Sequence, residues 1–192
     1  MLNAKALSEL LSKNSDQRLC KRWYLMTPNG TLLAYTQPTD MKDLRKQVAV
    51  AALSWQDHQQ AEIGGPNSDL ASAASTQRQL YTLIIESETS NVLVRQIQPE
   101  LLLVLEGGVP PRKRTFGPQT TAEGLDGELL HDRAAADSAS VSSLAGSTMS
   151  SAPAGGVLGL HRKKLDAMAA AIASDFEQTG FKMPDESVNK FF

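Results

Sequence analysis

The side chains able to do chemistry are few and scattered. Cys20 is the only cysteine among 192 residues. A thiol becomes a nucleophile when a nearby base takes its proton. Cys20 stands where a strand begins, with no histidine close in sequence, so a structural role outweighs a catalytic one. A small hydrolase built on Cys20 stays as a remote alternative, which Cys20→Ala tests. His58 follows Asp57 near the end of a helix, where a solvated polar terminus is a better reading than an acid–base pair. Glu86 and Glu88 flank a turn, the usual place for solvated carboxylates. The three histidines (His58, His131, His161) are too widely spaced to form a metal-ligand cluster, and one cysteine allows neither a disulfide nor a cysteine-rich zinc site. A phosphate-binding GxxxxGK[ST] loop is lacking. Gly155-Gly156-Val157-Leu158-Gly159 precedes a helix without that spacing or the dinucleotide spacing. The expectation is a chain with no catalytic residue, no cofactor and no metal.

Composition says little about partners. The mass is 20.7 kDa, the formal net charge -2, and 41% of residues are hydrophobic. A bulk field that attracts nucleic acid is excluded. The longest purely apolar run, Ala167 to Ala173, is far short of the roughly 20 residues that span a bilayer. Leu2 rules out N-myristoylation, no signal core follows Met1, and the chain ends without a prenylation cysteine. A membrane role would have to be indirect.

Two composition shifts divide the chain. Residues 62–77 hold few large apolar side chains and read as a flexible loop. Residues 107–156 are rich in Gly, Pro, Ser, Ala and Thr and read as a disordered insertion of roughly 50 residues, with no bet placed on helical turns near Leu125 to Leu130. Arg112-Lys113-Arg114 lies within it and reads as an import signal, a phospholipid contact or nothing, with three basic residues favouring nothing. The serines from Ser138 to Ser151 fit phosphorylation and a solubilising linker equally. Residues 179–192 read as a flexible tail. What remains, 1–106 and 157–178, is the size of one domain.

Its periodicities give an order of elements. Leu2, Ala6 and Leu10, beside Leu7 and Leu11, fit a short amphipathic helix. Arg18 to Met26 and Thr31 to Thr36 flank Pro28-Asn29-Gly30 as a hairpin. Thr39-Asp40 caps a helix from Met41 to about Gln60. Leu80 to Glu86, Asn91 to Gln96 and Leu101 to Glu106 form an antiparallel meander. Leu158, Leu165, Ala169, Ile172 and Phe176 mark a closing helix. The fold class is α+β: a five-stranded antiparallel sheet with helices, in the order α-β-β-α-β-β-β-α.

Two segments carry more apolar surface than their own core needs. On the central helix, Leu44, Val48, Ala51, Ala52 and Trp55 form one stripe, with Ala49, Val50 and Leu53 nearly opposite. The second stripe reads equally as a partner surface and as scattered surface residues. In Leu80 to Ile85 the apolar residues run consecutively. The strand reads as a central strand or as an edge that needs pairing with a second subunit.

These residues are similar to the roadblock family, specifically its Ragulator (LAMTOR) branch and the EGO-type counterpart. The resemblance is carried by Met1-Leu2-Asn3-Ala4-Lys5-Ala6-Leu7 with Leu10-Leu11-Ser12, by Gly30 to Thr36, by Val48 to Trp55, by Val92 to Arg95 with Leu101-Leu102-Leu103, and by Gly159-Leu160 with the helix to Gln178. It implies a roadblock (profilin-like) fold and a scaffold without active-site chemistry. It also implies dimerisation through the central helix and third strand, giving Val48, Ala49, Val50, Ala52, Leu53, Trp55, Leu80, Tyr81, Leu83 and Ile85 as the partner interface. The implied partners are a second roadblock subunit in a heterodimer, a lipid-anchored wrapping subunit and Rag-type GTPases. The implied place is the cytosolic face of the late endosome, lysosome or vacuole, in amino-acid signalling to TOR complex 1. A roadblock-type dynein light chain is the alternative. The insertion and the tail depart from the family pattern.

Overall fold

Residues 2–16, 18–63, 79–109, 119–130 and 156–184 are described by a computed structural model. Helix α1 (Ala4–Lys13) starts at Asn3, whose side chain accepts a hydrogen bond from the Ala6 amide at 3.1 Å. Strands β1 (Cys20–Met26) and β2 (Leu32–Tyr35) form the expected hairpin, with Gly30 at φ 82° in its turn. Helix α2 spans Met41–Ile63, and Asp40 accepts from the Lys42 amide at 2.8 Å at its start. The meander is β3 (Leu80–Glu86), β4 (Ser90–Gln98) and β5 (Leu101–Gly108). Helix α3 (Val157–Thr179) closes the α+β order expected from the sequence.

Between β5 and α3 lie two strands that the sequence reading does not contain, β6 (Gln119–Gly124) and β7 (Leu129–Leu130). Among the described residues the sheet has seven strands rather than five, in the spatial order β2-β1-β5-β4-β3-β6-β7, each neighbouring pair antiparallel. Strand β3 is therefore internal, between β4 and β6, and not an edge.

The sheet separates two cores. On one face α1 and α3 lay Leu7, Leu11, Leu165, Met168, Ile172 and Phe176 over Trp23, Leu25, Leu93, Leu103 and Leu105. On the other, Leu44, Val48, Ala51, Ala52 and Trp55 of α2 cover Tyr24, Met26, Leu83, Val94, Leu102 and Val104. A strand buried on both sides needs a continuous apolar run, and Leu101-Leu102-Leu103-Val104-Leu105 in β5 is that run. Arg22 of β1 ties α2 down through Asp43 at 2.9 Å.

Several expected boundaries move. Helix α2 runs through residues 62–63, where a loop was expected. Gly107 and Gly108 belong to β5, and residues 119–130 form a hairpin, so the supposed disordered insertion is ordered in these parts. The tail does not start loose at Thr179. Gly180 takes φ 64° and the Phe181 amide returns to the Phe176 carbonyl at 2.9 Å, a left-handed helix stop. The Phe176 and Phe181 rings lie 4.8 Å apart, and Gln98 holds the returning chain at Phe181 and Met183. The rest of the expected loop, insertion and tail, including Arg112-Lys113-Arg114 and Ser138 to Ser151, lies outside the described residues. Among the described residues no helix is long and apolar enough to cross a membrane.

Candidate interaction surface

A helix of 3.6 residues per turn that buries Leu44, Val48, Ala51, Ala52 and Trp55 must turn Ala49, Val50 and Leu53 outward. Val50 is 54% exposed and Leu53 67%, and Ala49 beside them is exposed as well. Lys46, one turn before Val50, and Asp57, one turn after Leu53, are also exposed. The surface is thus an apolar centre with a cation at one end and an anion at the other. Along its flank, α2 and β2 enclose an open groove of about 660 Å³, lined by Leu32, Tyr35, Met41, Arg45, Ala49, Leu53 and Gln56 among others.

The other residues assigned to a partner interface are used within the chain. Val48, Ala52, Trp55, Leu80 and Leu83 are buried in the core beneath α2, and Ile85 packs half-buried against it. Tyr81 is half-buried, with the Arg95 guanidinium 4.7 Å from its ring centre. Arg95 also pairs with Asp166 of α3. The outer edge of β3, which would have to pair with a second subunit, is taken by β6 from Leu80↔Gly124 to Glu86↔Gln119.

Residues considered for chemistry are placed as follows. Cys20 is fully buried, and burial pushes its thiol up, with nearby Lys164 opposing weakly. Such a thiol is both unreached and mostly protonated. His161, on α3, packs against Gly107, the partner of Cys20 in the ladder. Its Nδ1 lies 3.4 Å from Asn91 Nδ2, whereas its buried Nε2 has no hydrogen-bond partner among the described residues, Cys20 included. His58 bonds to the Ser54 carbonyl of its own helix at 2.8 Å. Among the described residues no group of three or more His, Cys, Asp or Glu side chains could hold a metal ion.

Sequence reasoning missed three features. Ser8 and Ser12 of α1 cap the outer edge of β2, accepting from the Tyr35 amide at 3.3 Å and the Gln37 amide at 2.9 Å. The β6–β7 hairpin covers the other side of the sheet. Arg162 of α3 grips Glu123 of β6 through both guanidinium nitrogens, Nη1 donating to Oε1 at 2.7 Å and Nη2 to Oε2. Only the hairpin had a local signal: Asp126-Gly127 ahead of Leu129-Leu130 is a strong two-residue turn cue, and Gly127 has φ 74°.

No protein-family model matches the chain, and no curated protein is similar to it. Solved structures are similar at low identity. MglB of Myxococcus xanthus has a TM-score of 0.48 at 14% identity, with 93% of this chain and 98% of that chain covered. The gliding protein MglB of Thermus thermophilus has a TM-score of 0.47 at 13% identity, covering 91% and 94%. A Roadblock/LC7 domain from Streptomyces avermitilis has a TM-score of 0.41 at 13% identity, covering 54% and 76%.

Proposed function

We propose that this chain is a non-catalytic adaptor of the roadblock type, a scaffold subunit of a Ragulator/EGO-type complex. In this reading it pairs with a second roadblock subunit, is wrapped by a lipid-anchored subunit, and helps dock Rag-type GTPases on the lysosomal, vacuolar or late endosomal membrane, in support of amino-acid signalling to TOR complex 1. The observation that carries the reading is the outward stripe Ala49, Val50 and Leu53 on a helix whose other face already fills the core. An apolar patch with charged ends on an otherwise well-packed domain marks a protein interaction site. The sequence resemblance supplies the kind of partner, and the run α-β-β-α-β-β-β, closed by α3 after the added β6–β7 hairpin, agrees with it.

The test is affinity purification of the tagged chain from its own cells, with mass spectrometry of what accompanies it. The expected result is a second roadblock protein, a small lipidated protein and Rag-type GTPases in comparable amounts. Dynein intermediate chains instead would move the chain to the motor-adaptor reading. Absence of any stoichiometric partner would overturn the adaptor reading altogether.

A further inference from the structure

We propose that the groove between α2 and β2 takes a short acidic peptide segment of a partner protein, with Arg45 holding a carboxylate and the groove walls holding apolar side chains beside it. The proposal rests on the adaptor reading and deepens it, naming the chemistry of one partner at the flank of the α2 stripe.

The groove does not end beside α2. A second hollow of about 510 Å³, formed by Gln37, Pro38 and Thr39, continues it past the start of the helix, and Tyr35 and Met41 line both. On α2 the lining reaches from Met41 to Gln56, roughly 22 Å at the helical rise. An extended peptide of about seven residues covers that length. The walls are apolar: Leu32, Tyr35 and Met41 lie half-buried against the core, and Ala49 and Leu53 are exposed along the helix. Arg45 is the one charged residue that lines either hollow. Arg22, Arg95 and Arg162 each pair with a carboxylate. Arg45 is exposed and pairs with none among the described residues, and Lys42, nearly one turn before it, is in the same state. The helix gives these cations no local reward, because the opening turns of α2 form the positive end of its dipole. The first-turn carboxylate, Asp43, is turned to Arg22 instead. Unpaired cations set against the local preference beside an apolar hollow fit an occupant that brings both a carboxylate and apolar side chains. The edge of β2 offers that occupant no ladder, since Ser8 and Ser12 hold the Tyr35 and Gln37 amides. Side chains therefore hold the peptide, which adds no strand to the sheet.

The test is a displayed library of random heptapeptides selected on the full chain, followed by fluorescence anisotropy with the best peptide made synthetically. The selected peptides should carry Asp or Glu among Leu, Ile, Phe or Met. Their binding should weaken as salt is added and should move the methyl resonances of Leu32 and Met41, which lie off the α2 stripe. Arg45→Glu should weaken it about tenfold or more, and replacing the peptide's carboxylate by Lys should recover affinity for that variant. Lys163→Glu, the same charge change on the exposed side of α3, should leave it unaltered. Selection of basic or uncharged peptides, or of none, overturns the proposal. So does binding that ignores Arg45→Glu or leaves the Leu32 and Met41 methyls unmoved. Sedimentation with phosphatidylserine vesicles through Arg45, in a chain that takes no peptide, would assign the cation to a membrane surface instead. Failure to select acidic peptides overturns the groove whatever co-purifies with the chain. A chain that binds them yet co-purifies no partner overturns the adaptor reading, so the two fail separately.

Discussion

At Gly107 and Gly108 the residue type is dictated by neighbours rather than by turn geometry. A Cβ on Gly107 would stand 2.3 Å from Cε1 of the His161 ring, and one on Gly108 would stand 2.2 Å from the Arg18 carbonyl oxygen. Gly107→Ala is therefore expected to destabilise the fold by about 1–3 kcal/mol, the range for overpacking a filled core. A urea melt measures it, and a neutral result would show that α3 can slide. The ring itself makes stability depend on pH. His161 is fully buried, and burial holds its pKa below the ordinary 6.5; a backbone contact at Leu19 opposes this, Lys164 adds to it and Asp16 opposes it. The unfolded chain takes up a proton near 6.5 while the folded chain resists, so stability present above that pH is lost as pH falls through and below it. His161→Leu should flatten the difference between melts at pH 7.5 and 5.5. Asp16, held below 3.8 mainly by the Leu19 and Arg18 amides, acts only in a more acidic window. An equal pH slope in the variant would assign the dependence elsewhere. The two glycines also explain a misreading. Ahead of Pro110-Pro111 they look like the start of a linker, and the ring that excludes a side chain at Gly107 lies 54 positions away in sequence.

At the scale of elements, what was legible was whatever repeats within a few residues. The period-two and period-3.6 patterns placed α1, α2, α3 and β1 to β5, because burial of one face or both leaves a local trace. The sheet's two sides left none. Ser8 and Ser12 are ordinary polar positions on α1 until β2 brings its unpaired amides beside them. Ser12 also donates to the Ser8 carbonyl at 2.6 Å, so its hydroxyl is fixed while it accepts from Gln37. Replacing both serines with alanine should cost about 1 kcal/mol in total, since the half-exposed amides recover part of the loss from water. Exchange at the Tyr35 and Gln37 amides should quicken in the same variant. Unchanged exchange would mean that packing by Leu7 and Leu11, rather than the hydroxyls, protects that edge. The hairpin β6–β7 was missed for a different reason. Its Asp126-Gly127 cue is local, but it sits within roughly 50 residues whose average composition argues for disorder.

For the whole molecule, large exposed apolar side chains among the described residues sit at Leu125 and Leu129 of the β6–β7 hairpin, at Leu160 of α3, and at Val50 and Leu53 of α2, where opposite charges flank them. The stripe there is self-complementary. Two α2 helices laid antiparallel about a twofold axis between Val50 and Leu53 set each Val50 opposite the other copy's Leu53. The same operation brings Lys46 opposite Asp57, so each charged end meets its opposite. A different subunit carrying the same order of charges on its helix would fit equally, as the proposed pairing requires. Interfaces of this kind bury on the order of 1,200–2,000 Å² in total, with most of the energy in a few central side chains. Leu53→Glu is expected to weaken association by about 2 kcal/mol, roughly thirtyfold, with folding changed by less than about 0.5 kcal/mol because the residue is 67% exposed. Equal loss of folding and association, by thermal melting and sedimentation, would place Leu53 in the chain's own core instead. The charges give the sharper test. Lys46→Glu or Asp57→Lys alone sets like charges against each other across the axis, twice per dimer, and should weaken a homodimer measurably at low salt. Joined in one chain, the two reversals restore opposite charges at both ends and should restore its affinity. Rescue by the pair argues for the antiparallel register; additive loss would place the two charges against different neighbours and remove the twofold arrangement of α2.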